Sequence, residues 1–329
     1  MAEKITLSVD ALGGDDAPGV VLEGTAAALA EDPDLSIVLC GPREVVEPFA
    51  AAHERCVARP TTEEISMGEH PANAVRTKKD SSLVVGCRLV KEGEAQGFFS
   101  AGSTGACLAA ATLVMGRVKG VARPALCTVL PAPAGPVVLC DVGANADCKP
   151  EYLLQFAQMA SIYAREVVGV DAPKAGLLNI GSEEAKGSQF AQECHQLLSK
   201  ELPNFAGNCE GDDVLTARFD VVVADGFTGN VCLKTIEGAV SVLFKALKGA
   251  LTSSPVAKLG ALAVKGSLSG LKSTLSAETY GGAPLLGVKG ACIVGHGSSS
   301  PTAVKNGIHT AAKVVRGKVP ELIAQAVAR

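Results

Sequence analysis

The chain has 329 residues, of which 47% are hydrophobic and 19% are charged, and its formal net charge is −4. This acidic balance argues against nucleic acid as the main partner, because a phosphate backbone calls for a basic surface. No apolar run reaches the ~18–20 residues that span a bilayer, and the start of the chain lacks the pattern of a secretory signal, so we expect a cytoplasmic protein.

The eleven cysteines are spaced irregularly, and no Cys-x-x-Cys pair occurs. Most of them lie within apolar runs, where cysteine behaves as a small buried hydrophobic residue. We therefore expect reduced structural thiols, and the sequence predicts neither a metal site nor a bound cofactor.

In chain order, short β-branched runs recur, and most of them lead into a glycine-rich turn and then a helical pattern. Such near-continuous apolar runs are typical of strands that helices cover on both faces. Their alternation with helices predicts a mainly parallel sheet in a three-layer α/β/α architecture, as a single domain over residues 1–329. The predicted strands are Ile5–Asp10, Leu35–Cys40, Gly97–Ala101, Ala125–Leu130, Val137–Val142, Ala175–Ile180, Asp220–Asp225 and Ala291–Gly295.

The pattern changes over about residues 235–278, where leucines and other apolar residues recur at helical spacing on both sides of Pro255. Proline interrupts a helix because it lacks the amide donor and clashes with the preceding turn. The segment is therefore predicted to be a helical hairpin that projects from the sheet. Packing in the core or in a dimer is one interpretation. Contact of its outer end, which carries Lys258, Lys265 and Lys272, with a membrane surface is the other.

Polar, glycine-containing segments follow six of the predicted strands. They begin at Asp10, Ser100, Asp141, Asn179, Asp225 and Gly295. Ligands of open α/β sheets bind beyond the carboxyl ends of the strands. We therefore expect all six segments to lie at one sheet edge and to form a pocket that lets a ligand approach the backbone. Asp10, Asn145, Thr228 and Gly229 are predicted to line its substrate-binding part.

The segment Ser100–Gly105 is the best candidate for an anion site. It leads into a helix start, where unpaired amide groups and the positive end of the helix dipole favour a negative ligand. We predict that phosphate binds at Gly102, Ser103, Thr104 and Gly105; a helix cap without a ligand is the alternative. The segment is neither a Walker loop nor a dinucleotide fingerprint, which disfavours ATP and NAD.

Three further side chains could act on a bound anion. Lys186, in a polar turn flanked by glycine, could supply positive charge to a phosphate or a developing oxyanion, although a loop lysine is usually just solvated. Asn230 is either a helix N-cap or a donor to the reacting group. His296, between two glycines, could bind phosphate or cap its loop. No motif supplies a covalent nucleophile, which favours an outside nucleophile such as phosphate.

These segments together resemble the bacterial phosphate acyltransferase family, PlsX. The resemblance runs from residue 5 to about 315, and its most specific part is Asp-Gly-Phe-Thr-Gly-Asn-Val from Asp225 onward. It implies a fold similar to phosphotransacetylases and isopropylmalate dehydrogenases. It also implies transfer of a long-chain fatty acyl group from acyl carrier protein to inorganic phosphate. The matching segments are Val9–Asp15, Ser100–Gly105, Arg123–Ala125, Asp141–Asn145, Leu178–Gly187, Asp225–Thr235 and Tyr280–Ala283.

The resemblance further implies partners and catalytic residues. The acyl phosphate would feed a membrane glycerol-3-phosphate acyltransferase in phosphatidic acid synthesis. The protein would be a homodimer, peripheral on the inner face of the membrane, with the hairpin at 235–278 in dimer and membrane contact. Carried over by motif, Lys186 and Asn230 orient phosphate and stabilise the tetrahedral intermediate. Two positions depart from the family: Asp16 stands where histidine is common, so no histidine of that loop has a role, and Ser103 stands where asparagine is frequent.

The carrier is acidic, so a basic surface should receive it. Arg76, Lys78, Lys79 and Arg88 are candidates, with an ordinary solvated helix face as the alternative. A phosphotransacetylase that uses coenzyme A is the nearest competing function. A dehydrogenase of the isopropylmalate type is the second, although the segment after Asp225 has no spaced pair of aspartates for Mg²⁺. A non-catalytic lipid-regulatory protein is the third.

Overall fold

A computed structural model describes residues 4–274 and 280–328 of the chain. The strands are β1 (Ile5–Asp10), β2 (Leu35–Gly41), β3 (Cys56–Pro60), β4 (Gly97–Ser100), β5 (Ala125–Leu130), β6 (Val137–Cys140), β7 (Ala175–Leu178), β8 (Phe205–Cys209), β9 (Val221–Val223), β10 (Ala283–Leu286) and β11 (Ala291–Val294). The α-helices are α1 (Gly19–Glu31), α2 (Arg43–Ala51), α3 (Pro71–Thr77), α4 (Ser82–Glu92), α5 (Thr104–Ala110), α6 (Pro150–Tyr163), α7 (Gln189–Glu201), α8 (Gly226–Leu251), α9 (Pro255–Thr274), α10 (Pro301–Arg316) and α11 (Val319–Val327).

The strands form one sheet in the order β3-β2-β1-β4-β11-β10-β5-β6-β9-β7-β8. The first five strands of this order are parallel to one another. The β10 strand is antiparallel to both of its neighbours, and β5 is antiparallel to β6. The β6, β9, β7 and β8 strands are therefore a second parallel set, which points in the opposite direction.

The prediction of a mainly parallel sheet in an α/β/α architecture is confirmed. The expectation that all six polar segments lie at one sheet edge is wrong. Because the two parallel sets point in opposite directions, the segments after β1, β4 and β11 lie at one edge, and those after β6, β7 and β9 lie at the other. Hydrophobic periodicity reports which residues are buried, and it carries no information on strand direction.

Helices cover the sheet on both faces because successive strand residues point to opposite sides. In β4, Phe99 joins a core cluster with residues of α1, α6 and α10, and Phe98 joins a second cluster with residues of α4 and α5. Both rings are fully buried.

All eleven cysteines are free thiols, nine of them buried, as the sequence predicts. Burial raises the pKa of the half-buried Cys148 thiol to about 11.

The hairpin begins about nine residues earlier than predicted. The first helix begins at Gly226, because the carboxylate of Asp225 caps it by accepting the N–H of Thr228 at 2.9 Å. Asn230 therefore lies in the second turn of α8, so the N-cap interpretation of Asn230 is wrong. The second helix begins at Pro255, the position at which proline is tolerated. Residues 275–278 of the predicted hairpin lie outside the described residues, and so do the side chains of Lys265 and Lys272.

Strands β3, β8 and β10 had no counterpart among the predicted strands. Each contains residues that weaken a strand pattern, such as Pro60, Gly207 and Pro284. Within the parts of the chain that the structure describes, no helix has both the length and the apolar character needed to cross a bilayer.

The start of α8 packs directly on the loop that follows β6. Asp141 is buried in this loop, and its carboxylate accepts five N–H donors at 2.8–3.2 Å. A Cβ atom at Gly229 would lie 1.9 Å from the carbonyl oxygen of Asp141, and one at Gly226 would lie 2.7 Å from that of Asn145. Only glycine allows the helix to approach the loop this closely.

Replacing Gly229 by alanine should therefore destabilise the protein by about 2 kcal/mol or more, the scale of overpacking a filled site. The urea midpoint, followed by circular dichroism, measures the effect. Gly238→Ala is the matched control, because Gly238 lies on the same helix with nothing within 4 Å of its added Cβ. We expect this control to raise the midpoint slightly, since alanine favours helix over glycine by about 1 kcal/mol. Equal midpoints for the two variants would contradict the packing argument.

Candidate active site

Three loops at the carboxyl ends of β1, β4 and β11 hold one another in place. The N–H of Asp15 donates to the carbonyl of Gly297 at 2.7 Å, and the N–H of Gly295 donates to the carbonyl of Ser100 at 2.8 Å. A Cβ atom at Gly13 would lie 2.8 Å from the amide nitrogens of Ala101 and Gly102. The loops are therefore in backbone contact, and they form one continuous rim at this edge of the sheet.

Asp10 stabilises this rim from below. Its carboxylate accepts the Ser100 hydroxyl at 2.7 Å and the N–H of Leu12 at 3.1 Å, and Ser100 Oγ in turn accepts the N–H of Gly102 at 3.0 Å. Burial raises the pKa of the Asp10 carboxyl, against the lowering effect of the Ser82 and Ser100 hydroxyls. Asp10 thus fixes the shape of the predicted phosphate loop, and the N–H of Gly102 is already engaged in it.

The predicted anion segment opens α5 at Thr104. The first turn of a helix leaves its amide groups without an acceptor in a preceding turn, so the N–H groups of Thr104 and Gly105 point out of the helix start. Ser103 makes no side-chain cap to this helix. A Cβ atom at Gly105 would lie 2.7 Å from Pro71 Cγ, which explains the glycine by its packing against α3. Thr104 is exposed and faces a cavity.

This cavity has a volume of about 440 Å³ and lies over the central strands of the sheet. Thr104, Asn230 and His296 line it, so three of the residues predicted from the sequence lie together. Its walls come from both halves of the sheet, because α8 begins beside β9 and carries its second and third turns to the central strands. The full lining of described residues is Thr104, Leu126, Thr128, Val142, Asn230, Leu233, Lys234, Glu237, Tyr280, Gly281, Gly282, Ala283, Val294, Gly295, His296, Ser298, Ser299 and Ala303.

His296 has a defined orientation in this wall. Its Nδ1 accepts the N–H of Ser298 at 3.2 Å and lies 2.8 Å from the Ser298 hydroxyl. Because Nδ1 acts as the acceptor, the neutral ring carries its proton on Nε2, which is then the donor. His296 can therefore present an N–H group to an anion.

Asn230 stands where the two halves of the site meet. Its side chain approaches the backbone of Gly143, so that a Cβ atom there would lie 3.7 Å from Asn230 Oδ1. Two neighbours are less available to a substrate. The Asn145 amide donates to the Pro124 carbonyl and to Asp141, and the Thr228 hydroxyl donates to Asp225 at 2.7 Å.

Several other predicted residues are not part of the described cavity lining. Lys186 lies exposed on the loop after β7, where its carbonyl accepts the Asn179 amide at 3.2 Å. The described residues that line the cavity do not include eight of the predicted site residues: Asp10, Gly102, Ser103, Gly105, Asn145, Lys186, Thr228 and Gly229. Roles for these residues in binding remain predictions.

The structure adds one charged pair that the sequence reasoning missed. Lys234 and Glu237 line the cavity beside Asn230, with Lys234 Nζ 2.7 Å from Glu237 Oε2. Lys234 lies four residues after Asn230, and residues at that spacing share one face of a helix. This spacing is the sequence feature that could have indicated Lys234 as a site residue. A lysine on a helix is usually solvated, however, and the hydrophobic periodicity does not distinguish Lys234 from other exposed lysines.

Comparison with solved structures identifies the fold. A phosphotransacetylase from Streptococcus pyogenes superposes with a TM-score of 0.63 at 15% identity, over 97% of this chain and 94% of that one. A branched-chain phosphotransacylase from Enterococcus faecalis V583 gives a TM-score of 0.59 at 15% identity, over 94% of this chain and 99% of that one. At such low identity these likenesses establish the fold alone.

Sequence comparison identifies the family. Residues 5–322 match the family described as fatty acid synthesis protein. A phosphate acyltransferase of Desulfitobacterium hafniense (strain DSM 10664 / DCB-2) is 48% identical, with 98% of each chain covered. A phosphate acyltransferase of Bacillus licheniformis is 44% identical, again with 98% of each chain covered. The resemblance inferred from the loop segments is confirmed, and the chain belongs to the fatty acid synthesis protein family, as an acyltransferase of the phosphate acyltransferase (PlsX) type.

Proposed function

We propose that this enzyme transfers a long-chain fatty acyl group from acyl carrier protein to inorganic phosphate, within the cavity over the central strands. The product, an acyl phosphate, would serve phosphatidic acid synthesis through a membrane glycerol-3-phosphate acyltransferase. The observation that carries the proposal is that Thr104, Asn230 and His296 share one cavity with an apolar floor. Polar donors at one end suit phosphate, and the apolar side chains beside them suit the carbon atoms next to a thioester.

The reaction needs positioning more than acid–base chemistry. A phosphate oxygen attacks the thioester carbonyl carbon, the C–O bond forms, the C–S bond breaks, and the electron pair leaves with the sulfur. Phosphate is already a dianion near neutral pH, and a thiolate is a good leaving group. In the proposal, the amide groups at the start of α5 and His296 Nε2 hold phosphate, and the Asn230 amide donates to the thioester oxygen as negative charge develops on it.

A covalent route through the enzyme has weak support in this cavity. Among the described residues that line the cavity, Ser298 and His296 are in contact at 2.8 Å. They are, however, only two residues apart in the same turn. The same Nδ1 also accepts the backbone N–H of Ser298, so the contact belongs to the turn geometry. A serine nucleophile needs a base that a third group orients toward it. Direct attack by phosphate requires no such arrangement.

The basic surface proposed for the carrier is weaker than the sequence suggests. Lys78 lies 2.7 Å from Glu69, and this hydrogen bond lowers the pKa of the Glu69 carboxyl to about 2. The charge of Lys78 is therefore compensated. Arg88 donates to the carbonyl of Lys79, which holds these two residues together on the surface. We propose that Arg76, Lys79 and Arg88 supply the remaining positive charge toward an acidic carrier.

Incubation with palmitoyl-acyl carrier protein, or with palmitoyl-coenzyme A, each with phosphate, tests the choice of donor. Acyl phosphate is trapped as the hydroxamate and quantified. We expect the carrier thioester to give the faster reaction. Product from coenzyme A alone would instead favour a phosphotransacetylase, and no product from either donor would refute the proposal.

Substitutions at the two catalytic candidates test their roles separately. Asn230→Ala should lower turnover about 100-fold or more, the scale of losing one oxyanion donor. Lys186→Met should have an effect of the same size if the loop after β7 reaches the bound phosphate. Lys200→Met, an exposed lysine of α7, is the control and should retain full activity. Near-normal turnover of Lys186→Met would refute the catalytic role that the resemblance implies for Lys186.

We also propose that the outer part of the hairpin contacts a second copy of the chain and the membrane surface. Val242, Leu243, Val256, Leu259 and Leu262 are between 65% and 79% exposed in the single chain. Monomeric proteins rarely leave so many apolar side chains in water on one projecting element. Burial in a dimer and contact with lipid would both remove them from water.

The double variant Leu243→Glu/Leu259→Glu should weaken both dimer formation and sedimentation with anionic vesicles. Each substitution replaces apolar surface with charge, which opposes burial. Light scattering coupled to size-exclusion chromatography measures the oligomeric state. Ser241→Glu is the control, because it adds one negative charge at an exposed polar position of α8 without removing apolar surface. An unchanged dimer and unchanged vesicle binding in the double variant would contradict the proposed role of the hairpin.

A further inference from the structure

The cavity has polar donors for phosphate, but its charges cancel. Its described lining contains one lysine, Lys234, and one carboxylate, Glu237, and these two are paired at 2.7 Å. His296 and Tyr280 are the other titratable side chains of this lining. A phosphate dianion that enters the cavity therefore meets a carboxylate as well as an ammonium group, and repulsion by the carboxylate would oppose its binding.

The pair is built in a way that permits exchange of partners. Both side chains are about half exposed, at 53% for Lys234 and 43% for Glu237, and exposed ion pairs contribute little to stability. Lysine has a flexible stem and three N–H donors, so its ammonium group can leave one acceptor for another. A phosphate dianion attracts the ammonium group more strongly than a carboxylate does, because it carries two negative charges and the carboxylate carries one.

The position of Lys234 is also suited to phosphate beside Asn230. The two residues are four apart on α8, which places their Cβ atoms roughly 6 Å from each other on one helix face. Asn230 is the proposed donor to the thioester oxygen, and the attacking phosphate must lie next to that group. An ammonium group one helical turn along from Asn230 reaches the attacking group, and the loop that carries Lys186 is not needed for this.

We infer that Lys234 is the phosphate-binding cation of this cavity, and that Glu237 is its resting partner, released when phosphate enters. The inference deepens the proposed function and rests on phosphate being the acceptor. Glu237 competes with phosphate for the same ammonium group, so the two side chains have opposite effects on phosphate affinity. A purely structural ion pair would give both substitutions the same direction.

Isothermal titration with inorganic phosphate, together with steady-state kinetics, tests this with full-length variants. Lys234→Met should raise the phosphate Kd and KM about 10-fold or more, the scale of losing one hydrogen bond to a charged group, with a smaller change in kcat. Lys234→Arg should recover most of the affinity. Glu237→Gln should lower the Kd about 3-fold, and Lys234→Met/Glu237→Gln should bind phosphate more tightly than Lys234→Met, because the unpaired carboxylate is removed as well. Lys245→Met, an exposed α8 lysine outside the described lining, is the control and should match the wild type.

Two results would overturn the inference: a wild-type phosphate Kd for Lys234→Met, or weaker phosphate binding by Glu237→Gln. Thermal melting of each variant verifies that it is folded, which is expected because both side chains are on the surface of α8. Failure of the proposed function gives a different result. In that case the wild type forms no acyl phosphate from either thioester, whereas the titration still reports whether phosphate binding depends on Lys234.

Discussion

The geometry of the site depends on the buried carboxylate of Asp141. An unpaired carboxylate in the core would be costly, and this one is compensated by five N–H groups, four from the backbone and one from the Asn145 amide. These bonds fix the loop after β6 as a rigid surface. Because Gly229 lies against that surface without room for a Cβ atom, the first turns of α8 have one permitted position. Asn230 and Lys234 take their places from that contact.

The reversal of strand direction explains why one cavity contains residues from loops at opposite sheet edges. In a fully parallel sheet, a single edge would carry every strand-end loop. Here the rim of β1, β4 and β11 loops forms one wall, and α8, which starts at the opposite edge, forms the other. The antiparallel strands between them supply the floor. The wall proposed to bind the anion and the wall that carries Asn230 thus come from opposite edges of the sheet.

The sequence predicted the strands that bury apolar residues on both faces, and the α/β/α layers followed from them. It also identified Thr104, Asn230 and His296, since strand-end loops and helix starts can be read from glycine and polar residues. It could not place Lys186 and Lys234 relative to one another, because that depends on strand direction and on where α8 begins. The start of α8 depends on the cap at Asp225 and the contact of Gly229, and neither appears in the hydrophobic pattern. Phosphate acyltransferase family membership follows from sequence; the carrier and the membrane contact rest on proposals.

Because α8 packs tightly at Gly229, a tilt of the helix would pivot about this residue, which lies next to Asn230. From Gly229 to Leu251 the helix extends ~33 Å, whereas Asn230 is only ~1.5 Å and Lys234 ~7.5 Å along the axis from the pivot. A tilt that displaces the outer end by ~3 Å would therefore move Asn230 by only ~0.1 Å and Lys234 by ~0.7 Å. If the hairpin docks as proposed, a tilt at its outer end would leave the amide of Asn230 in place beside the proposed thioester. The same tilt would displace Lys234 five times as far as Asn230. Movement of the hairpin would therefore change the proposed phosphate contact of Lys234 and leave the contact of Asn230 with the acyl carbonyl almost unchanged.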